Sequence, residues 1–196
     1  MTSFRMIGVV ACGGLSTRMR SDKGLINSEG KVWAKILRDK FFKISIPSFL
    51  SINQNQIESY LHHFKDDDLI VDNSSLKVHG PLLGLLSVHL KYPDQDLMMV
   101  ACDMINMNEI ILKKLSDAYN SSEAEAIVFK GERVEPLCGI YSSRGLRKIH
   151  SIYQETAISN YSMMHALEKM QTSYIAIPEE WEYFFKNFNS VEDLSY

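Results

Sequence analysis

The residues best equipped for chemistry crowd into one short loop: Gly13 and Gly14, then Ser16, Thr17, Arg18, Arg20 and Lys23. They follow an apolar run, Gly8 to Cys12, which reads as a buried strand that the paired glycines stop. Glycine lets the backbone approach an anion closely and turn its N–H groups toward it. Cations in the same turn neutralise the charge that a polyphosphate brings. The pattern predicts a nucleoside triphosphate site. It is not a Walker loop, because Lys23 follows Asp22 rather than a glycine, and it lacks the third glycine of a dinucleotide fingerprint. A plain glycine turn with surface cations is the competing reading, and it leaves the hydroxyls and the cation spacing unexplained.

Asp103 is the second residue of interest, at the end of the apolar run Leu97 to Cys102. A carboxylate at the exit of a buried strand needs a partner, since a bare buried charge is costly. Mg²⁺ is a suitable one: it takes one or two protein carboxylates and completes its shell with phosphate oxygens and water. A helix cap or turn is the alternative role. Asn53 and Asp72 close two further apolar runs. Either can hydrogen-bond a base or ribose, and either can equally satisfy a loop backbone. Gly80-Pro81 opens a helix in which Gly84 costs about 1 kcal/mol relative to alanine, tolerable where something approaches that face closely. Near the end, Asn187 and Asn189 flank Phe188 and share one face of an extended segment, from which they could meet a metal or phosphates.

These residues need elements to position them. Helical spacing covers Val32 to Phe42, Gln56 to Phe64, Leu82 to Leu90, Asn108 to Tyr119 with Asn108 as N-cap, Arg144 to Tyr153, and Ser162 to Met170. Strands are expected over Ser48 to Asn53, Asp68 to Asp72, Leu97 to Cys102, Ala126 to Phe129, Leu137 to Tyr141 and Tyr174 to Ile177, with a polar and aromatic tail behind them. Strands separated by helices imply parallel pairing through right-handed crossovers, hence a three-layer α/β sandwich with a mostly parallel, Rossmann-like sheet. In such sheets ligands sit beyond the carboxyl ends of the strands. That rule gathers Gly13, Gly14, Asn53, Asp72, Asp103 and the segment after Tyr141 at one edge.

Composition excludes other classes. With 196 residues, 45% of them hydrophobic, the chain can bury one sizeable core, and we expect a single globular domain over 1–196. A net charge of −3 offers no bulk attraction to nucleic acid. No apolar stretch approaches the roughly 20 residues that span a bilayer, and no secretory signal pattern opens the chain. Cys12, Cys102 and Cys138 are far apart and odd in number, which argues for buried thiols in a reducing cytoplasm rather than disulfides.

Taken together, the motifs resemble those of the MobA-like nucleotidyltransferases, the molybdenum cofactor guanylyltransferases. Cys12-Gly13-Gly14-Leu15-Ser16-Thr17-Arg18-Met19-Arg20-Ser21-Asp22-Lys23 is similar to that family's Ala-Gly-Gly-x-Ser-x-Arg-Met-Gly-x-Asp-Lys loop. Gly80-Pro81-Leu82-Leu83-Gly84, Cys102-Asp103, Glu135-Pro136-Leu137 and the closing Asn187-Phe188-Asn189-Ser190-Val191-Glu192-Asp193-Leu194 resemble its later motifs, in the same order. The resemblance implies transfer of GMP from GTP to the terminal phosphate of molybdopterin, releasing pyrophosphate. It implies a GTP site lined by Ala11, Cys12, Gly13, Gly14 and Gly80 and completed by Lys23, Asn53 and Asp72. Mg²⁺ would be held by Asp103, with Asn189 as a further ligand, while Arg18 and Lys23 act on the developing phosphate charge. GTP and molybdopterin are the implied partners, with molybdoenzyme maturation proteins as further candidates and neither nucleic acid nor membrane expected. The acceptor is expected between the late helices and the segment Tyr141 to Arg147. Departures are Arg20 in place of glycine, and Ile105 and Val191 in place of prolines. A nucleotidyltransferase using CTP, one acting on a sugar or alditol phosphate, and a catalytically silent nucleotide-binding subunit are the alternatives.

Overall fold

The computed structural model describes residues 5–13, 22–155, 160–188 and 193. In chain order the strands and helices are β1 (Met6–Ala11), β2 (Asn27–Ser28), β3 (Lys31–Val32), α1 (Trp33–Lys43), β4 (Ser48–Ile52), α2 (Ile57–Leu61), β5 (Leu69–Val71) and α3 (Pro81–Lys91). They continue with β6 (Asp96–Ala101), α4 (Glu109–Asn120), β7 (Ala126–Lys130), β8 (Val134–Tyr141), α5 (Ser143–Glu155), α6 (Met163–Glu168) and β9 (Thr172–Ala176). Seven strands form one sheet in the order β5-β4-β1-β6-β8-β7-β9. Every neighbouring pair is parallel except the two that involve β8.

Helices cover both faces, which explains why the central strands read as unbroken apolar runs. Along β6 the side chains alternate between two cores. Met98 and Val100 join Leu37 and Phe41 of α1 and Ile111, Leu112 and Leu115 of α4. Leu97 and Met99 join Leu82, Leu85 and Leu86 of α3, Leu146 and Ile149 of α5 and Ala166 of α6. Asn108 caps α4 as expected, its Oδ1 accepting the Ile111 N–H at 2.9 Å.

The structure changes two expectations, the direction of β8 and the helix over Gln56 to Phe64, and adds two elements that none of them named. β7 and β8 are an antiparallel hairpin closed by a short turn, not a crossover pair, so β8 runs against the sheet. Its far end therefore lies at the amino edge, where Tyr141 pairs with Leu97 and the Ser143 N–H donates to Asp96 Oδ1 at 2.8 Å. The segment after Tyr141 is thus removed from the carboxyl ends, and an acceptor site at Tyr141 to Arg147 does not follow from the topology. A small hairpin, β2–β3, precedes α1 and carried no strong alternation to announce it. The helix expected over Gln56 to Phe64 splits into a 3₁₀ turn, Gln54–Gln56, and the short α2. The aromatic tail is a 3₁₀ helix, Glu179–Phe185, whose Phe185 packs edge-on against Phe129 of β7.

Candidate functional site

From β1 the chain steps outward to β4 and β5, then returns to place β6 on the other side of β1. The strand order reverses there, which opens a crevice beyond the carboxyl ends of β1 and β6. Both ends of that crevice are built by expected residues. Cys12 and Gly13 leave β1, with the Cys12 N–H donating to the Ser51 carbonyl at 2.8 Å. Cys102 and Asp103 leave β6, with the Cys102 N–H donating to the Ala11 carbonyl at 3.0 Å.

Lys23 and Asp103 meet across the crevice, Lys23 Nζ donating to Asp103 Oδ2 at 2.9 Å. Their side chains are 23% and 19% exposed, so both are reachable by a ligand yet partly shielded from water. In this arrangement the Lys23 ammonium neutralises the Asp103 carboxylate. Asp103 caps no helix. Its loop is fixed from two sides: the Phe188 N–H donates to the Asp103 carbonyl at 3.0 Å, and Lys40 Nζ donates to the Ile105 carbonyl. Phe188, Ile105 and Trp33 pack together as a small buried cluster. Burial pulls the Lys40 ammonium down to about 8. The closing motif thus reaches the Asp103 loop through Phe188, although Asn189 lies outside the described residues, as do Gly14, Arg18 and Arg20.

On the other side of Gly13 lies Asp72. A Cβ on Gly13 would sit 3.4 Å from Asp72 Oδ2 and 3.7 Å from the Asn53 nitrogen. The interior of α3 approaches the same carboxylate: a Cβ on Gly84 would stand 2.4 Å from Ser51 Oγ and 3.5 Å from Asp72 Oδ1. The close approach inferred for Gly84 is this one. Burial raises the Asp72 carboxyl to about 6, and Oδ1 is buried without a hydrogen-bond partner among the described residues. Oδ1 packs against the Gly84 side of α3, and Oδ2 is the oxygen nearer Gly13 at the exit of β1. Asn53 turns its amide oxygen to the backbone, Oδ1 accepting the Asn55 N–H at 2.9 Å. Gly80 is the N-cap of α3 at φ +66°, a conformation that disfavours other residues, and open space surrounds it.

Sequence reasoning missed three residues that brace the crevice: Asp22, Gln56 and Tyr60. Asp22 Oδ1 accepts from the Gly24 N–H at 3.0 Å and from Tyr60 Oη at 3.0 Å. Gln56 Nε2 donates to the Cys12 carbonyl at 2.9 Å and also to Asp22 Oδ2. The capping-box spacing of Asn53 and Gln56 was the available signal. All three cysteines are buried and free, and contact with Cys12, together with burial, pushes the Cys102 thiol up. Among the described residues no three His, Cys, Asp or Glu side chains cluster to hold a metal, and no helix is long and apolar enough to cross a membrane.

Relatives carry the same architecture. A probable molybdenum cofactor guanylyltransferase of Flavobacterium johnsoniae is 28% identical over 187 residues, 95% of this chain and 93% of that protein. A molybdenum cofactor guanylyltransferase of Campylobacter jejuni is 27% identical over 135 residues, 69% of this chain and 68% of that protein. Among solved structures, molybdopterin-guanine dinucleotide biosynthesis protein A of Archaeoglobus fulgidus superposes with a TM-score of 0.78 at 18% identity, covering 97% of this chain and 95% of that one. A putative glucose-1-phosphate thymidylyltransferase of Bacillus anthracis superposes at 0.66 with 12% identity, covering 88% and 87%. At those identities the structures speak for the fold alone. Residues 8–171 match the family model of the MobA-like NTP transferase domain, and with the crevice between β1 and β6 built as described, the chain belongs to that family.

Proposed function

We propose that this protein transfers GMP from GTP to the terminal phosphate of molybdopterin, releasing pyrophosphate, as a step of molybdenum cofactor biosynthesis. The observation that carries the reading is the Lys23–Asp103 pair, held at 2.9 Å where the strand order of the sheet reverses. The names of the relatives supply the substrate class. In the reaction an acceptor phosphate oxygen attacks the α-phosphorus of GTP. The bond from that phosphorus to the bridging oxygen breaks, and its electron pair leaves with pyrophosphate. Such a nucleophile is already ionised at neutral pH, so the chain needs no general base. What remains is positioning and neutralisation of charge.

The donor set fits Mg²⁺. Asp103 offers one hard, partly exposed carboxylate at the crevice, and Mg²⁺ draws most of its remaining ligands from phosphate and water. Asp103 would hold it, with Asn189 as a further ligand, and the ion would supply charge stabilisation at the α-phosphate. Lys23 is poised to turn from Asp103 to the incoming phosphates, with Arg18 as the second cation. Ala11, Cys12 and Gly13 would offer backbone groups to the phosphates, a role expected of Gly14 as well, which lies outside the described residues. Asp72 accepts a donor from the nucleoside, and Gly80 and Asn53 shape the walls.

Pyrophosphate release by purified protein with molybdopterin, Mg²⁺ and either GTP or CTP tests the proposal. We expect release with GTP, strongly reduced release with CTP, and none when molybdopterin is omitted. Preference for CTP, or turnover with a sugar phosphate but not molybdopterin, would overturn it.

A further inference from the structure

The loop that opens the crevice leaves β1 at Cys12 and returns at Asp22, and the side chain of Gln56 touches both ends. Its Nε2 donates to the Cys12 carbonyl at 2.9 Å and to Asp22 Oδ2, across 44 and 34 residues of sequence. The same carboxamide is fixed on its oxygen side, where Oε1 accepts the Asn53 N–H at 2.8 Å. Two strand exits and one loop arm are therefore joined by one planar group: the end of β1, the end of β4 and the segment at Asp22. Asp22 completes the brace with Tyr60 Oη and the Gly24 N–H on its other oxygen, and its chain neighbour is Lys23, whose ammonium reaches Asp103.

We propose that Gln56 is a positioning residue that clips both ends of the nucleotide loop and thereby sets Lys23 over the Asp103 edge of the crevice. The inference rests on the nucleotidyltransferase reading above. Gln56 does not touch the reacting atoms; it acts through Cys12 and Asp22. Only a group with two donors on one nitrogen and an acceptor on the adjacent oxygen satisfies all three partners, which a carboxamide does and a carboxylate does not. A glutamate here would keep the bond from Asn53, lose both donor bonds, and set its charge against Asp22.

Gln56→Glu is the direct test, compared with Asp22→Asn and with the double variant Gln56→Glu/Asp22→Asn. The double variant exchanges donor and acceptor on the Asp22 arm while leaving the Cys12 carbonyl unpaired. For Gln56→Glu we expect KM for GTP to rise about 10- to 100-fold, the scale of a lost hydrogen bond to a charged group, with kcat changed much less. Recovery of most of that loss in the double variant is expected. Amide hydrogen exchange without nucleotide gives a second readout. Gln56→Glu should accelerate exchange at Cys12, Gly13 and Gly24, and the double variant should restore protection at Gly24 but not near Cys12. Unchanged KM and unchanged exchange in folded Gln56→Glu protein overturn the clip. So does a loss of activity that the double variant leaves untouched. If wild-type protein uses neither GTP nor molybdopterin, the reading of the reaction fails, while the exchange experiment still decides the clip.

Discussion

In the proposed reaction the chemistry concentrates on the Asp103 carboxylate, and its environment says why a substitution there should be selective. It contacts Lys23 through its side chain and the closing segment only through its carbonyl, so removing the carboxylate leaves the backbone clamp in place. We expect Asp103→Ala to melt within a few degrees of wild type while turnover falls at least 10²- to 10³-fold, the scale of losing one electrostatic contact at a transition state. Pyrophosphate release and circular dichroism on one preparation check both halves. Asp72 behaves differently. Its carboxyl titrates near 6 in the folded protein against an ordinary value of 3.8, because burial disfavours the charge. The folded state therefore holds its proton more tightly than the unfolded one. Stability from this group is greatest below pH 3.8, declines as pH rises through the window to about 6, and stays low above it. Asp72→Asn should accordingly raise the melting temperature by a few degrees at pH 7.5, with the advantage shrinking toward pH 4, while weakening GTP binding. Melting curves at several pH values and a binding titration measure the trade. A variant no more stable at pH 7.5 than at pH 4, relative to wild type, would contradict the account of Asp72.

Elements deliver these residues to one edge through close approaches that single substitutions can probe. In α3, alanine at Gly84 would gain about 1 kcal/mol of helix propensity, yet its Cβ would lie 2.4 Å from Ser51 Oγ of β4. Overpacking a buried contact costs about 1–3 kcal/mol, so the clash should win and Gly84→Ala should be destabilising. Adding Ser51→Ala removes the offending oxygen and should recover most of the loss, as denaturant midpoints would show. Phe188 binds the closing segment to the Asp103 loop with both backbone and ring. Phe188→Ala should cost about 3 kcal/mol as a buried aromatic truncation and should raise the Mg²⁺ concentration needed for half-maximal turnover. A stability loss without any shift in Mg²⁺ demand would confine Phe188 to packing. Much at this scale was legible in the sequence. Continuous apolar runs ending on Gly13, Asp72 and Asp103 marked buried strands and the edge they exit, because a strand covered on both faces is built mostly of apolar residues until it leaves the core. The reversal of β8 was harder to read, since the direction of a strand follows from its connections rather than its composition. The brace of Gln56, Asp22 and Tyr60 was hidden for another reason: hydrogen bonds between residues tens of positions apart have no local periodicity.

At the level of the whole molecule, the sheet order and the MobA-like match place the chain among nucleotidyltransferases, and its small residues and cations supply what phosphoryl chemistry asks for. The proposed reaction reduces to holding a triphosphate and an anionic acceptor together against their mutual repulsion, the task we assign to Lys23, Asp103 and the braced crevice. The most direct measurement of this claim follows the α-phosphate. Purified protein is incubated with molybdopterin, Mg²⁺ and GTP labelled at the α-phosphorus, and the products are separated. The account predicts that the label moves to a guanine dinucleotide of molybdopterin at the rate of pyrophosphate release, and that Asp103→Ala leaves it in GTP. Label that stays in GTP with folded wild-type protein, or that moves equally well with Asp103→Ala, would contradict it.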